Sequence, residues 1–333
     1  MAAKGRVVFI EHESQILKGN PLGDPHKRKF PVYLPPGYDS SPQQHYPVIF
    51  GLIGFTGTGA MYLNWKFLSP SFDTLLDDLI LTKKMPGVIY VMPDCMTYLG
   101  GSQYVNSTAV GNYEDYIVEE LVPLIDREFR TTGKRGCVGG SSGGIGSFTL
   151  ATKYPEIFQA FADHCGDSAF EYSYLGEVPR FVQAMEKYDY KIEKFVKAIP
   201  EIQPKDDSFM ALLNLTAMSA CYSPNPQTKP LGFDLPVDPY TGKLRDDVWE
   251  KWKKFDPVNM VEPYRDNLKK LKFCFIDCGK RDQFHLYLGS RQLHQKLNEF
   301  GIPHVYEEYD SDHGTLRREQ KKKSIPLVVK ALT

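Results

Sequence analysis

The sequence predicts an α/β fold in which a mostly parallel central sheet is flanked by helices. Short runs that are apolar on both faces, such as 46–53 and 88–92, alternate along the chain with segments of helical periodicity, such as 72–81. Strands buried on both faces are typical of parallel sheets covered by helices on each side. The chain has 333 residues, 42% of them hydrophobic, which is enough to bury such a core without disulfides or metals.

The individual elements follow from local patterns. The first strand is a β-branched run and the second alternates before a Pro-Pro-Gly turn, whereas the middle strands are continuous apolar runs and the last one alternates again. The helices carry apolar residues at spacings of three and four. The predicted strands are 7–10, 29–34, 46–53, 88–92, 135–138, 160–164, 271–276 and 304–309. The predicted helices are 72–81, 113–129, 145–153, 287–300 and 324–332.

The alternation stops between residues 166 and 270. This stretch contains Pro-rich turns and helical pieces such as 182–199, but no clear strand. Loops that carry function in parallel sheets lie at the carboxyl ends of the strands. We therefore predict that residues 1–165 and 271–333 form a catalytic core and that 166–270 form a helical cap over that end.

Composition excludes several classes of partner. Forty Lys and Arg residues against 41 Asp and Glu residues give a net charge of −1, which predicts no nucleic-acid surface. No uncharged apolar stretch reaches about 18 residues, so no membrane span is expected. The N-terminus lacks a signal-peptide pattern, and six scattered cysteines are typical of a reducing compartment, which predicts a cytoplasmic location. We expect no cofactor and no metal, and a homodimer is left open as the assembly.

The densest chemical signal is the glycine-rich segment Gly139–Gly146, which lies between a predicted strand and a predicted helix. Gly-x-Ser-x-Gly in this position is typical of a nucleophile elbow, a strained turn that presents a serine hydroxyl at the edge of the sheet. The motif fits twice, once around Ser141 and once around Ser142. A plain glycine-serine turn, or a phosphate-binding loop without catalysis, is the alternative interpretation.

A serine nucleophile requires a base and a carboxylate that orients the base, and in this arrangement both follow the serine along the chain. His313 comes directly after the last predicted strand, where the base is expected. Asp282 follows the 271–276 strand and is the predicted acid, with Asp277 as the alternative. His164 also follows a strand, and we expect it to line the pocket or to be structural.

Two backbone N–H groups would complete the site by binding the oxyanion. One belongs to the residue after the nucleophile, Ser142 if Ser141 is the nucleophile, and the other to Phe55 in the glycine-containing loop after the third strand. From the loop alone, an ordinary turn is about as good an interpretation. The predicted substrate-binding residues are Gly54, Thr56, His164, Trp249 and Trp252.

Several motifs together resemble the putative-esterase family of α/β-hydrolases. That family includes esterase D (S-formylglutathione hydrolase), feruloyl esterase modules, enterochelin esterases and mycolyltransferases. The resemblance covers about residues 29–165 and 271–316. The motifs that carry it are Val32–Tyr38, Met92–Asp94, Gly101–Ser107, Tyr113–Leu121, Gly139–Gly146, Cys278–Asp282 and Ser311–Gly314.

The resemblance implies an α/β-hydrolase fold and selects between the two serines. The family's elbow has a glycine pair that starts two places after the nucleophile, and here this pair is Gly143-Gly144, which implies Ser141. Many members have His-Gly in the oxyanion loop where this chain has Ile53-Gly54, so the outer support of that loop must differ.

The resulting prediction is a serine carboxylesterase that acts on a small-molecule ester with a short acyl or aryl group. Ser141, His313 and Asp282 would act through an acyl-enzyme. An acyltransferase that uses an alcohol in place of water is one alternative, and a hydrolase fold retained as a non-catalytic binding protein is another. We also expect the bulky residues of the cap to shorten the acyl pocket.

Overall fold

The computed structural model describes residues 4–64, 67, 70–315 and 317–333, and its centre is a sheet of eight strands. The strands lie in the order β1-β2-β4-β3-β5-β6-β7-β8. Strand β2 is antiparallel to both of its neighbours, and the other strand pairs are parallel. The predicted α/β class is therefore confirmed. The strands are β1 (Arg6–Glu13), β2 (Lys27–Leu34), β3 (Tyr46–Leu52), β4 (Ile89–Val91), β5 (Thr131–Gly140), β6 (Ala160–His164), β7 (Phe273–Gly279) and β8 (Val305–Tyr309).

Helices cover both faces of this sheet, and successive side chains of one strand enter different cores. Phe50 of β3 packs edge-on against Phe158, with 5.5 Å between the ring centroids. Its neighbour Ile49 points to the other face, in the same core as Val138 and Val328. This arrangement explains why the strands read as continuous apolar runs. The flanking helices are Phe72–Leu81, Tyr113–Asp115, Tyr116–Leu121 (a π-helix), Val122–Glu128, Ser142–Lys153, Leu286–Glu299 and Arg317–Leu332.

The chain between β6 and β7 is helical and contributes no strand to the sheet. The predicted helical piece 182–199 was wrong as one unit. The segment forms parts of two helices that are separated at Asp189 and Tyr190. Both residues have a positive φ (52° and 57°), which a right-handed helix cannot contain. The helices of this region are Phe170–Ser173, Val178–Met185, Ile192–Ala198, Asp207–Tyr222, Asp246–Lys253, Pro257–Met260 and Arg265–Leu268.

The last helix is longer than predicted. It begins at Arg317 and not at residue 324. The prediction started too late because the first two turns are polar and lack the apolar periodicity by which helices are recognised. Within the described part of the chain, no helix has both the length and the apolar character that a membrane span requires.

Candidate active site

The turn between β5 and the helix Ser142–Lys153 places Ser141 in a strained conformation. Strand β5 ends at Gly140, the helix begins at Ser142, and Ser141 between them has φ 58° and ψ −129°. A Cβ on Gly139 would lie 2.0 Å from the Gly143 carbonyl oxygen, and one on Gly143 would lie 2.1 Å from the Leu52 carbonyl oxygen. The positions two before and two after Ser141 therefore require glycine, which is the geometry of a nucleophile elbow centred on Ser141.

The neighbouring serine has a different environment. Ser142 is buried in the first turn of the helix, and its hydroxyl accepts a hydrogen bond of 2.8 Å from Gln103 Nε2. The same hydroxyl lies 3.5 Å from Asp167 Oδ2. Within the described residues, by contrast, the half-buried Ser141 hydroxyl has no hydrogen-bond partner. Of the two serines, only Ser141 has a free hydroxyl.

His313 and Asp282 form a buried pair beside this elbow. His313 Nδ1 and Asp282 Oδ2 are 2.6 Å apart, and both side chains are almost fully buried. The Phe284 ring packs edge-on against the imidazole at 4.9 Å. Burial alone would lower the pKa of His313, but the hydrogen bonds to Asp282 and Cys165 outweigh it and raise the pKa to about 9.

The alternative acid, Asp277, hydrogen-bonds to a different histidine. Its Oδ1 lies 2.9 Å from His164 Nδ1, and His164 Nε2 lies 2.9 Å from Ser324 Oγ. Gln320 Nε2 also donates to Asp277 Oδ1 at 3.0 Å. Burial raises the pKa of Asp277 to about 6. The structure thus places Asp277 with His164 and not with His313, and it places His164 away from the cavity wall, in the structural role that was one of its two predicted roles.

The two predicted oxyanion donors lie on either side of Ser141. Ser142 begins the helix, so its N–H has no carbonyl one turn earlier to bond. Within the described residues, the Phe55 N–H also has no protein acceptor. A Cβ built on Gly54 would lie only 3.3 Å from Ser141 Cβ, so this loop closely approaches the elbow. Thr56 differs from the expectation, because its N–H donates to Gly100 O at 2.7 Å and its exposed side chain does not line the cavity.

A cavity of about 340 Å³ joins these groups. Its sheet side contains Ser141, His313 and the oxyanion loop, and its other side comes from the helical region 166–270. The core side is lined by Gly54, Phe55, Ser141, Ser142, Phe284, Leu286, His313 and Arg317. The other side is lined by Asp167, Ser173, Tyr174, Glu177, Arg180, Asp207, Met210, Ala211 and Asn214.

The predicted tryptophans do not reach this cavity. Trp252 is fully buried, its indole N–H donates to Ser223 Oγ at 2.9 Å, and Trp249 packs on it with 5.6 Å between the ring centroids. Trp252 supports the wall indirectly, because its ring packs edge-on against Tyr174 at 5.5 Å. The expectation that Trp249 and Trp252 contact the substrate is therefore corrected: both belong to the interior of the helical region.

Sequence reasoning missed Asp167 and Arg317 as cavity residues. Burial raises the pKa of Asp167 to about 6, although the charge of His313 opposes the shift. Asp167 lies three residues after the end of β6, so the rule that loops at the carboxyl ends of strands carry function could have identified it. Arg317 is four residues after His313, and its Nε donates to His313 O at 3.0 Å.

A metal could be held only at the expense of this arrangement. Ligand atoms of Cys165, Asp282 and His313 lie within 4.8 Å of one another, and sulfur, carboxylate and imidazole are the ligands that zinc takes. A metal bound to all three would compete for the 2.6 Å contact between His313 and Asp282. The donor set is therefore better explained as the surroundings of an acid–base pair.

The family can be decided by comparison with known proteins. The family model described as "Putative esterase" matches residues 24–317. The chain belongs to this family. Its curated relatives include an endo-1,4-beta-xylanase/feruloyl esterase of Xylanibacter ruminicola, 28% identical over 133 residues that make up 38% of this chain and 18% of that protein. An esterase of Mycobacterium tuberculosis is 33% identical over 147 residues, which are 41% of this chain and 29% of that protein. The matched segments are thus less than a third of the length of these relatives.

Solved structures of similar proteins show the same fold over nearly the whole chain. A ferulic acid esterase superposes with a TM-score of 0.60 at 17% identity, covering 98% of this chain and 99% of the other. An S-formylglutathione hydrolase from Agrobacterium tumefaciens superposes with a TM-score of 0.63 at 19% identity, covering 100% and 98%. The α/β-hydrolase fold expected from the sequence is therefore confirmed.

Proposed function

We propose that this putative-esterase family member is a serine carboxylesterase. Ser141 is the nucleophile, His313 the general base, and Asp282 the residue that orients His313. The observation that carries the proposal is that a strained serine with a free hydroxyl faces the same cavity as an imidazole whose other nitrogen is held by a buried carboxylate. Nucleophile, base and orienting group are the minimum set for acyl transfer through a covalent intermediate.

In the first half of the reaction, Ser141 Oγ attacks the ester carbonyl carbon while His313 Nε2 accepts the serine proton. The carbonyl oxygen becomes an oxyanion that accepts hydrogen bonds from the N–H groups of Ser142 and Phe55. The C–O bond to the alcohol then breaks, and His313 returns the proton to the leaving oxygen. Asp282 keeps the proton on Nδ1 and so leaves Nε2 free as the base.

In the second half, water replaces the alcohol. His313 Nε2 accepts a proton from water while the water oxygen attacks the acyl carbon. When the second oxyanion collapses, the bond between the acyl carbon and Ser141 Oγ breaks, His313 returns the proton to Oγ, and the acid leaves. In the structure, Ser141 and His313 line the same cavity without a direct hydrogen bond between them. Such contacts commonly tighten only when the substrate is bound.

The substrate we propose has a short acyl or aryl group. The cavity of about 340 Å³ lies at the lower end of the range for small-molecule sites. The region 166–270, which we propose is a cap, closes one side of it with Tyr174 and Met210. Similarity in structure to a ferulic acid esterase supports esters with an aryl group among these substrates.

The experiment is an ester screen with product analysis. Phenyl acetate, phenyl butyrate and phenyl decanoate are offered to the protein and to the Ser141→Ala variant, with and without added butanol. We expect acid release from acetate and butyrate, little from decanoate, and none with the variant. Butyl ester as the main product would indicate an acyltransferase, and no turnover of any ester would indicate a binding protein; either result would overturn the proposal.

A further inference from the structure

One side chain of the cavity has no role in the chemistry above. Arg317 begins the last helix, is half-buried, and lines the cavity together with Ser141 and His313. A Cβ built on Gly54 would lie 3.8 Å from Arg317 Nη1, and one built on Gly140 would lie 3.8 Å from Arg317 Cζ. The guanidinium group therefore lies against both the oxyanion loop and the residue before the nucleophile.

This guanidinium has an incomplete set of partners. Its Nε is held by the His313 carbonyl oxygen, which fixes the direction of the group. Among residues 4–64, 67, 70–315 and 317–333, no carboxylate forms an ion pair with it. An arginine presents two further Nη donors in a planar fork that matches a carboxylate. Within the described residues, the positive charge next to the reacting serine therefore has no paired carboxylate.

Two other arginines nearby differ in this respect. Arg180 also lines the cavity, but its Nη1 pairs with Glu177 Oε2 at 3.1 Å. Arg318 follows Arg317 in the same helix, but its Nη1 donates to the Pro70 carbonyl oxygen at 2.9 Å and it does not line the cavity. Of these three arginines, only Arg317 combines a position beside Ser141 with a fork that has no ion-pair partner among the described residues.

A second basic side chain lies close to Arg317. Lys321 lies one helical turn after Arg317, with its ammonium 4.4 Å from the centre of the Tyr62 ring. Burial, and then repulsion by Arg317, lower the pKa of Lys321 to about 7. An anion bound at Arg317 would reduce this repulsion.

We propose that Arg317 binds a carboxylate of the substrate, so that the enzyme prefers esters with an anionic group a few bonds from the scissile carbonyl. This inference rests on the proposed esterase function. A charge-assisted, two-pronged contact in a half-buried cavity corresponds to about a 10- to 100-fold preference over the matched neutral ester.

The test compares pairs of esters that differ only in charge. On the acyl side the pair is monoethyl succinate and ethyl butyrate, in which a carboxylate replaces a methyl group. On the alcohol side the pair is 3-acetoxybenzoate and phenyl acetate. The ratio of kcat/KM within each pair is measured for the unmodified protein, Arg317→Gln, Arg317→Lys and the control Arg318→Gln, and calorimetry measures the binding of free succinate and free butyrate.

We expect the anionic ester to be favoured at least tenfold in one of the two pairs, which also identifies the half of the substrate that carries the charge. Arg317→Gln should abolish the preference, Arg317→Lys should restore part of it, and Arg318→Gln should keep it. Equal rates within both pairs, or a preference that survives Arg317→Gln, would overturn the inference. If no ester is turned over, the proposed function fails. Calorimetry then still tests the anion site: succinate binding that is lost in Arg317→Gln supports it, and no succinate binding overturns it. If Arg317→Gln does not fold, equal kcat/KM values within both pairs for the unmodified protein would still overturn the inference.

Discussion

Two groups of serine, histidine and aspartate lie close to each other, since the Ser141 N–H donates to the His164 carbonyl oxygen at 2.9 Å. The cavity group is Ser141, His313 and Asp282, and the buried group is Ser324, His164 and Asp277. In each group an aspartate oxygen lies close to the histidine Nδ1, at 2.6 Å in the cavity group and at 2.9 Å in the buried group. In the buried group, moreover, the serine hydroxyl is already within 2.9 Å of the histidine Nε2.

The surroundings separate the two groups. The buried group is sealed, with relative exposures of 0% for Ser324 and Asp277 and 1% for His164, and Ser324 lies within a regular helix. The cavity group combines a strained serine with two free N–H groups and space for a substrate. The comparison teaches that a hydrogen-bond chain alone is not enough to propose a nucleophile. The proposal for Ser141 rests on access, backbone strain and nearby N–H groups that could bind an oxyanion.

The largest expected effect contrasts the two serines. Ser141→Ala removes the nucleophile and should lower kcat by about 10⁶-fold, as loss of a catalytic serine does in a well-studied protease. Ser324→Ala should keep kcat within about threefold, but it leaves the buried His164 Nε2 without its partner and should lower the free energy of unfolding by about 1–3 kcal/mol. Steady-state kinetics and urea unfolding of both variants check this, and a large loss of kcat in Ser324→Ala would break the comparison.

The two aspartates provide the next test. Asp282→Asn allows the wrong tautomer of His313 and should lower kcat by about 10⁴-fold. Asp277→Asn changes a residue that hydrogen-bonds to His164 and Gln320 and not to His313, so it should lower kcat less than about tenfold. Both are measured on the same aryl ester with folding monitored by circular dichroism. Equal losses of kcat, or a larger loss for Asp277→Asn, would show that the orienting role does not belong to Asp282.

The pH dependence should report His313. Its pKa of about 9 means that the neutral base form accumulates only as the pH rises, so kcat/KM should increase up to about pH 9 and then level off. Since the folded pKa lies above the unfolded value, the proton on His313 contributes stability that is fully present below about pH 6.5 and is lost as the pH rises through about 9.

Asp282→Asn sharpens the same measurement. It removes a hydrogen bond that raises the pKa of His313, so the residual activity should titrate at a lower pH. A profile with no inflection between pH 6 and 10 in the unmodified protein, or an inflection that Asp282→Asn leaves in place, would contradict the assignment of the base.

The smallest expected effect belongs to Ser142. Ser142→Ala removes the hydroxyl that accepts from Gln103 but retains the backbone N–H of the oxyanion site, so kcat should fall less than about tenfold. The same ester kinetics check this. A loss as large as that of Ser141→Ala would show that the second fit of the glycine motif was the correct one.

The features that could be predicted are those that depend on residues close together in the sequence. The elbow around Ser141 is a local pattern, because steric contacts of Gly139 and Gly143 require glycine there, and the strands are local apolar runs. Asp277 and Asp282 are only five residues apart, and nothing in the chain itself states that His164 lies beside Asp277. That pairing is created when β6 and β7 align His164 with Asp277 in parallel register.

The helical region 166–270 was the least predictable part for the same reason. The sequence does not distinguish aromatic residues that line the cavity from those that pack in the interior of this region. Tyr174 lines the cavity, whereas Trp252 packs behind it with an indole N–H satisfied by Ser223. Arg317 was missed because a single charged residue has no periodicity, and only the folded chain brings it to the cavity of Ser141. Asp167 was missed although its place shortly after the end of β6 could have identified it.

The most direct test of the comparison is to locate the adduct of a fluorophosphonate probe. Such a probe reacts with an activated serine, so the unmodified protein is labelled, digested and sequenced by mass spectrometry, with Ser141→Ala and Ser324→Ala treated in parallel. The account predicts one adduct, on Ser141, which persists in Ser324→Ala and disappears in Ser141→Ala. An adduct on Ser142 or Ser324, or labelling that survives Ser141→Ala, would contradict it.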